Sequence, residues 1–288
     1  MRFLRVGDEG NEIPALARPE STHHVYDLRP LTDDIDGAFL AGGGPRRAAA
    51  AAAANELPDL DIRGMRIGAA LARPHAVYAI GLNYRDHAAE TGAEVPREPI
   101  VFSKAPNSLC GPHDTVVFPP GAAKGDWEAE LGIVVGRRAH LLDGPESAAE
   151  VIAGYVALND VSEREFQLEH GGQWLKGKSH PTFNPTGPHL VTPDEVGDPH
   201  DLRLITRVNG ETVQDGTTAD MIFRPAHIVW YLSRFLALEP GDLINTGTPA
   251  GVGMGRTPPR YLGDGDIVEV EVSRLGTLRN PVRIPAAP

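Results

Sequence analysis

Beyond Val77 the chain is a succession of short β-type runs with little helical patterning between them, and this restricts its fold more than any other feature. Segments 76–81, 100–102, 115–118, 130–135, 155–158, 202–208 and 267–272 are rich in β-branched and apolar residues. The last two alternate strictly between apolar and polar side chains, so each is expected to bury one face. Asn209-Gly210 and Asp264-Gly265 beside them read as turns. Helical patterning is confined to 85–90, 162–169 and 225–237. A doubly wound α/β protein would place a helix after each strand. That repeat does not occur, and the expected class is a β-rich α+β fold.

The first 70 residues differ in texture. Phe3–Val6 and Val25–Leu28 read as strands, and the unbroken run Ala48–Ala54 has high helix propensity but offers little large apolar surface to a core. The division expected is a small N-terminal α+β domain over 1–70 and a larger domain over 71–288, with the boundary in a Gly- and Pro-punctuated stretch. The chain carries 39 acidic against 27 basic side chains, a net charge of −12, which argues against nucleic acid and anionic membrane as partners. Cys110 is the single cysteine, so neither an intrachain disulfide nor a Cys-pair zinc site can be written. The start lacks the apolar stretch of a signal peptide and no later segment approaches a membrane span, so a cytoplasmic location is expected.

Several clusters could carry chemistry. In Asp126-Trp127-Glu128-Ala129-Glu130-Leu131-Gly132-Ile133-Val134-Val135, side chains two apart on a strand share a face, which sets Glu128 beside Glu130. Two such carboxylates repel unless a cation lies between them. Isolated Glu-x-Glu pairs are usually the wet face of an edge strand, as Glu269 and Glu271 are read here, but the apolar run after Glu130 points to a central strand. Asp160 stands where a strand meets a helix. Asp160-x-x-Glu163 and Ser162-x-x-Glu165 both match a capping box, and a third carboxylate there equally suits an octahedral Mg²⁺ or Mn²⁺ site. His87 and Glu90 are neighbours on one helical face, a spacing that suits a carboxylate-oriented general base and also a chance pair on a solvated helix. The glycine-rich stretch 246–253 lacks both the P-loop ending and the dinucleotide-binding spacing, so nucleotide binding is weakly supported.

Taken in order, Gly81-Leu82-Asn83-Tyr84-Arg85-Asp86-His87, Phe102-Ser103-Lys104, Glu128-Ala129-Glu130-Leu131, Asn159-Asp160-Val161-Ser162-x-Arg164-x-x-Gln167, Gly177-Lys178-Ser179 and Thr246-Gly247-Thr248-Pro249-x-Gly251-Val252-Gly253 resemble the fumarylacetoacetate hydrolase family over about residues 74–285. The resemblance implies a mixed β-roll catalytic domain, a divalent metal (Mg²⁺ or Mn²⁺, with Ca²⁺ a further candidate) and a homodimer. It makes Glu128, Glu130 and Asp160 the metal ligands, His87 and Glu90 a water-activating dyad, and Lys178 the group that stabilises developing negative charge. It sets Tyr84, Arg85, Lys104, Arg164, Gln167 and Thr248 against a small anionic oxoacid substrate. The N-terminal part is similar to that of longer bacterial members.

The implied reaction is hydrolysis of the C–C bond of an acylpyruvate or 2,4-diketo acid to pyruvate and a carboxylic acid. Its rivals are oxaloacetate decarboxylation or isomerisation of a 2-hydroxyhepta-2,4-diene-1,7-dioate-type diacid at the same metal, a Schiff-base lyase using Lys178, and an inactive metal-binding structural protein. One departure stands out: many relatives continue the lysine motif as Lys-Ser-Phe-Asp-Thr-Phe, whereas this chain has Lys178-Ser179-His180-Pro181-Thr182-Phe183. A proline there removes a backbone donor and could alter the wall beside Lys178.

Overall fold

A computed structural model describes residues 1–287. Its strands gather into one large mixed sheet, a second five-stranded sheet, and a two-stranded ribbon of Gly125–Asp126 with Ser162–Glu163. The large sheet runs, edge to edge, through Asp59–Asp61, His24–Asp27, Ile13–Ala17, Arg2–Val6, Asn184–Val191, Ile152–Asn159, Ala129–Val135, Leu243–Asn245, Val77–Gly81 and Ile100–Lys104, with Leu109–Cys110 added beside Asn184–Val191. The five-stranded sheet orders Glu211–Thr217, Arg203–Val208, Ile267–Val272, Gly276–Arg283 and Val116–Val117. The fold is thus β-rich α+β.

Ala129–Val135 lies at the centre of the large sheet and is buried along its whole length, so the apolar continuation after Glu130 does mark a central strand. Ala129, Leu131, Ile133 and Val135 belong to the core shared with Leu204, Val268, Val270 and Leu278 of the five-stranded sheet. Val134 points the other way, into a second core with Val156, Leu158, Phe39, Ala48 and Ala51. The alanine run forms the helix Gly44–Ala53, and its small buried residues Ala48 and Ala51 are what it contributes to that second core. The N-terminal strands join the large sheet directly, through Arg2–Val6 pairing with Asn184–Val191.

Ile267–Val272 buries alternate residues as its pattern requires, whereas Arg203–Val208 also buries Ile205 on its second face. Asn209 and Gly210 both take positive φ, 53° and 83°, in the tight turn that joins Arg203–Val208 to Glu211–Thr217. Glu269 and Glu271 lie on the wet face, paired with Arg279 at 3.4 Å and Arg207 at 3.0 Å. The helix expected over 162–169 begins later, at Arg164–Leu168, because Ser162–Glu163 is drawn into the ribbon. Neither anticipated capping box forms there. Glu163 is the N-cap, its carboxylate accepting from Phe166 N at 2.8 Å. The helix expected over 225–237 stops at Ser233. Among the described residues no helix is long and apolar enough to cross a membrane.

Candidate active site

The central strand enters the site at its start. Glu130 shares a face with Gly132 and Val134, and Glu128 stands just ahead of the strand, its N–H held at 2.9 Å by the Asn159 side-chain carbonyl of the neighbouring strand. Ile152–Asn159 runs antiparallel to Ala129–Val135 and delivers Asp160 to the same end, where Asp160 N donates to the Glu128 carbonyl at 2.9 Å. Glu128, Glu130 and Asp160 therefore converge, with one oxygen of each lying within 4.8 Å of the others, and all three are buried.

Three cations surround this triad. Lys178 Nζ lies 2.6 Å from Glu128 Oε2 and 3.1 Å from Asp160 Oδ2. Lys104, fully buried, pairs with Asp160 Oδ1 and donates to the Phe183 carbonyl at 2.9 Å. Arg164 reaches Glu128 Oε1 at 2.7 Å and donates to Gln167 Oε1 at 2.9 Å. Burial works to raise the Glu128 pKa, but the Lys178 and Arg164 charges hold it down at about 2. Glu130 goes the opposite way. Burial and the charges of Asp160 and Glu128 push it well above the carboxylate range. Among the described residues no cationic side chain pairs with Glu130, which accepts from Gly247 N at 2.9 Å. The two lysines also diverge: burial lowers the Lys104 pKa despite Asp160, whereas at Lys178 the Asp160 and Glu128 carboxylates together outweigh burial and raise it.

These features fit a divalent cation. Three carboxylates form an all-oxygen donor set of the kind Mg²⁺ and Mn²⁺ prefer, Glu130 has no positive partner among the described residues, and Asp160 Oδ2 is buried without a hydrogen bond despite its nearness to Lys178. The triad could hold such an ion.

A cavity of about 190 Å³ opens onto Glu128 and Glu130 of the triad. Glu128, Glu130, Lys178, Arg164, Gln167, Thr248 and His87 all line it. His87 comes from the helix Arg85–Glu90, its N–H held by the Asp86 carboxylate at 2.8 Å, and its Nδ1 lies 3.2 Å from Glu90 Oε2. Glu90 is fixed from the other side, accepting from Gly251 N at 2.9 Å, while Asp86 accepts from Ala250 N at 3.2 Å. The stretch 246–253 thus grips both the dyad helix and Glu130. Thr248 Oγ donates to the Ala129 carbonyl at 2.9 Å and accepts from Gln214 at 2.8 Å.

Three residues expected against substrate do not line the cavity. Tyr84 is fully buried in the core, Arg85 turns outward to the Asp220 and Met221 carbonyls, and Lys104 lies behind Asp160. His180 and Pro181 are likewise off the cavity: His180 packs edge-on to Phe183, at 5.4 Å between ring centres, on the outer side of the loop. Two residues were not anticipated. Asp126, fully buried, accepts from Gly253 N at 2.7 Å and Arg164 Nε at 2.8 Å, joining the glycine-rich stretch to the guanidinium. Trp174 forms part of the wall, packed edge-on to Phe102 at 5.2 Å. Only its place in the Gly-Gly-Gln-Trp segment ahead of Lys178 could have hinted at it.

Fold and site together define a small-molecule enzyme built on a mixed β-roll, with a buried carboxylate triad at its centre. The C-terminal-domain model of fumarylacetoacetate hydrolase matches residues 76–283. The chain is 44% identical to the 2,4-didehydro-3-deoxy-L-rhamnonate hydrolase of a Sphingomonas species over 98% of its length and 96% of the relative's. Among solved structures it resembles a fumarylacetoacetate hydrolase from Exiguobacterium antarcticum (TM-score 0.84, 35% identity, 99% of each chain) and a 2-hydroxyhepta-2,4-diene-1,7-dioate isomerase from Mycobacterium marinum (TM-score 0.75, 30% identity, 98% of each chain). The chain belongs to the fumarylacetoacetate hydrolase family.

Proposed function

We propose that the protein hydrolyses the C3–C4 bond of an acylpyruvate or related 2,4-diketo acid, giving pyruvate and a carboxylic acid, with Mg²⁺ or Mn²⁺ held by Glu128, Glu130 and Asp160. The observation that carries this is the meeting, in one cavity, of Glu128 and Glu130, with Asp160 converging on them from behind, and a histidine oriented by a carboxylate. The name of the 44%-identical Sphingomonas relative, which denotes a 2,4-dioxo sugar acid, supports the substrate class. A cytoplasmic homodimer is part of the same proposal.

The ion, when bound, supplies Lewis-acid polarisation of the substrate's oxo oxygens. The chain does the rest. Glu90 holds His87 through Nδ1, leaving Nε2 to take a proton from water as it adds to the C4 carbonyl. The C3–C4 bond then breaks, its electron pair passes into the enolate of pyruvate, and a proton at C3 completes the product. Lys178, kept charged by Asp160 and Glu128, stabilises the negative charge as it develops. Arg164 and Gln167 line the same cavity and hold the substrate's carboxylate and oxo groups, and Thr248, also in the lining, joins them by turning its hydroxyl from the Ala129 carbonyl to the substrate.

The dyad favours hydrolysis over decarboxylation, because losing CO₂ from an oxoacid needs no activated water. Metal-loaded protein assayed for pyruvate release against 2,4-diketo acids and oxaloacetate tests the proposal. Cleavage of the diketo acids that is lost in His87→Ala supports it. Oxaloacetate decarboxylation that survives His87→Ala, with no diketo-acid cleavage, refutes it.

A further inference from the structure

The dioxo-acid end of a substrate has its place at the triad, which leaves the acyl tail to be accounted for. The charged groups on the cavity wall, Glu128, Glu130, Arg164, Lys178 and the dyad histidine, all belong to the polar end. Both fixed cations there are already engaged by Glu128, at 2.7 and 2.6 Å. Moving away from Lys178, the wall changes character. Lys178 Nζ lies 5.5 Å from the centre of the Phe102 ring, Phe102 meets Trp174 edge-on, and Leu82 and Leu168 continue the lining, with no lysine or arginine among them. Leu168, 44% exposed, sits at the mouth. The position of Trp174 is built in by Gly81, because a Cβ at that residue would stand 2.6 Å from the indole. The whole space, about 190 Å³, is small beside the roughly 300–1,000 Å³ of pockets that take drug-sized ligands, and the dioxo-acid head takes part of it.

We infer that this enzyme acts on dioxo acids whose acyl tail is short and uncharged, and that it discriminates against diacids carrying a second carboxylate at the tail end. A carboxylate carried along the Phe102–Trp174 wall leaves water, and the two cations that line the cavity, Lys178 and Arg164, are already paired with Glu128. A methyl group at the same point gains from the move. This inference rests on the hydrolase proposal above and adds to it the chemistry of the tail.

The test compares 2,4-dioxoheptanoate with 2,4-dioxoheptanedioate, which differ in a methyl or a carboxylate at C7. Hydrolysis of either releases pyruvate, with butanoate or butanedioate as the second product. With metal-loaded protein we expect kcat/KM for the monoacid to exceed that for the diacid by roughly 100-fold. Leu168→Arg places a guanidinium at the mouth, on the last residue of a helix where a cation is tolerated, and should shrink that preference by about tenfold. A diacid cleaved as fast as the monoacid, or a preference unmoved in Leu168→Arg, overturns the inference while the hydrolase proposal stands. Release of pyruvate from neither compound, nor from shorter diketo acids, defeats that proposal and the inference with it.

Discussion

Asp126→Asn should uncouple the arginine of the cavity from the glycine-rich stretch. Asp126 is fully buried and uses both oxygens: one accepts from Trp127 N at 2.8 Å and Gly253 N at 2.7 Å, the other from Met254 N at 3.1 Å and Arg164 Nε at 2.8 Å. Whichever way an asparagine amide is turned, its NH₂ faces two donors and one side of the network is lost. Hydrogen bonds to a charged group contribute about 1.5–3 kcal/mol each, and a buried ion pair broken at one partner costs about 3–5 kcal/mol. Loss of unfolding free energy should therefore be about 3–5 kcal/mol in urea, at unchanged m-value. Because Arg164 keeps only Glu128 and Gln167 as fixed partners, KM should rise about tenfold with a smaller change in kcat. A double-mutant cycle with Arg164→Gln should give a coupling above about 1.5 kcal/mol. Additive effects, or a variant within about 1 kcal/mol of the parent and with its KM, would refute the coupling.

Glu90→Gln keeps an oxygen for Gly251 N but removes the carboxylate that orients His87, so kcat should fall about 100-fold with KM and folding nearly unchanged, as read by steady-state kinetics and thermal unfolding. Lys104→Met strips a cation from buried Asp160; the metal-free protein should lose about 3–5 kcal/mol, and saturating Mn²⁺ should recover part of that loss in a urea titration. His189 is held neutral by burial and by the charge of Arg2, which lower its pKa to about 4. Its unfolded form binds a proton near pH 6.5, so the unfolded chain carries more protons between pH 6.5 and 4. Stability is full above that window, falls as pH drops through it by up to about 3 kcal/mol, and is flat in this respect below it. His189→Gln should flatten that slope in unfolding curves from pH 7 to 4.

Local periodicity made two side-chain pairs legible in the sequence, and the ordered motifs of the family resemblance added Asp160, Lys178, Arg164, Gln167 and Thr248. The two-residue repeat set Glu128 beside Glu130, the three-residue helical spacing set His87 beside Glu90, and the apolar run to Val135 marked the central strand. The rest depended on contacts far apart in the chain. The start of the helix at Arg164 follows from Ser162–Glu163 pairing with Gly125–Asp126, which no local capping pattern reports. Tyr84 shares its motif with His87, yet as the N-cap residue of a short helix it turns into the core. Lys104 and Lys178 look alike in sequence. One lies behind Asp160 and the other between two carboxylates in the cavity, so their pKa values move in opposite directions. Asp126 and Trp174 gain their roles from Gly253 and Gly81, residues more than 90 positions away in each case.

The central claim is that the triad holds a metal which makes C–C hydrolysis at this cavity work. It is tested most directly by measuring pyruvate release from a short-chain acylpyruvate before and after exhaustive chelation, in the parent protein and in Glu130→Ala. We predict that chelation abolishes turnover, that added Mg²⁺ or Mn²⁺ restores it in the parent, and that Glu130→Ala stays inactive with the metal present. Turnover unchanged by chelation, or retained in Glu130→Ala, would contradict the claim.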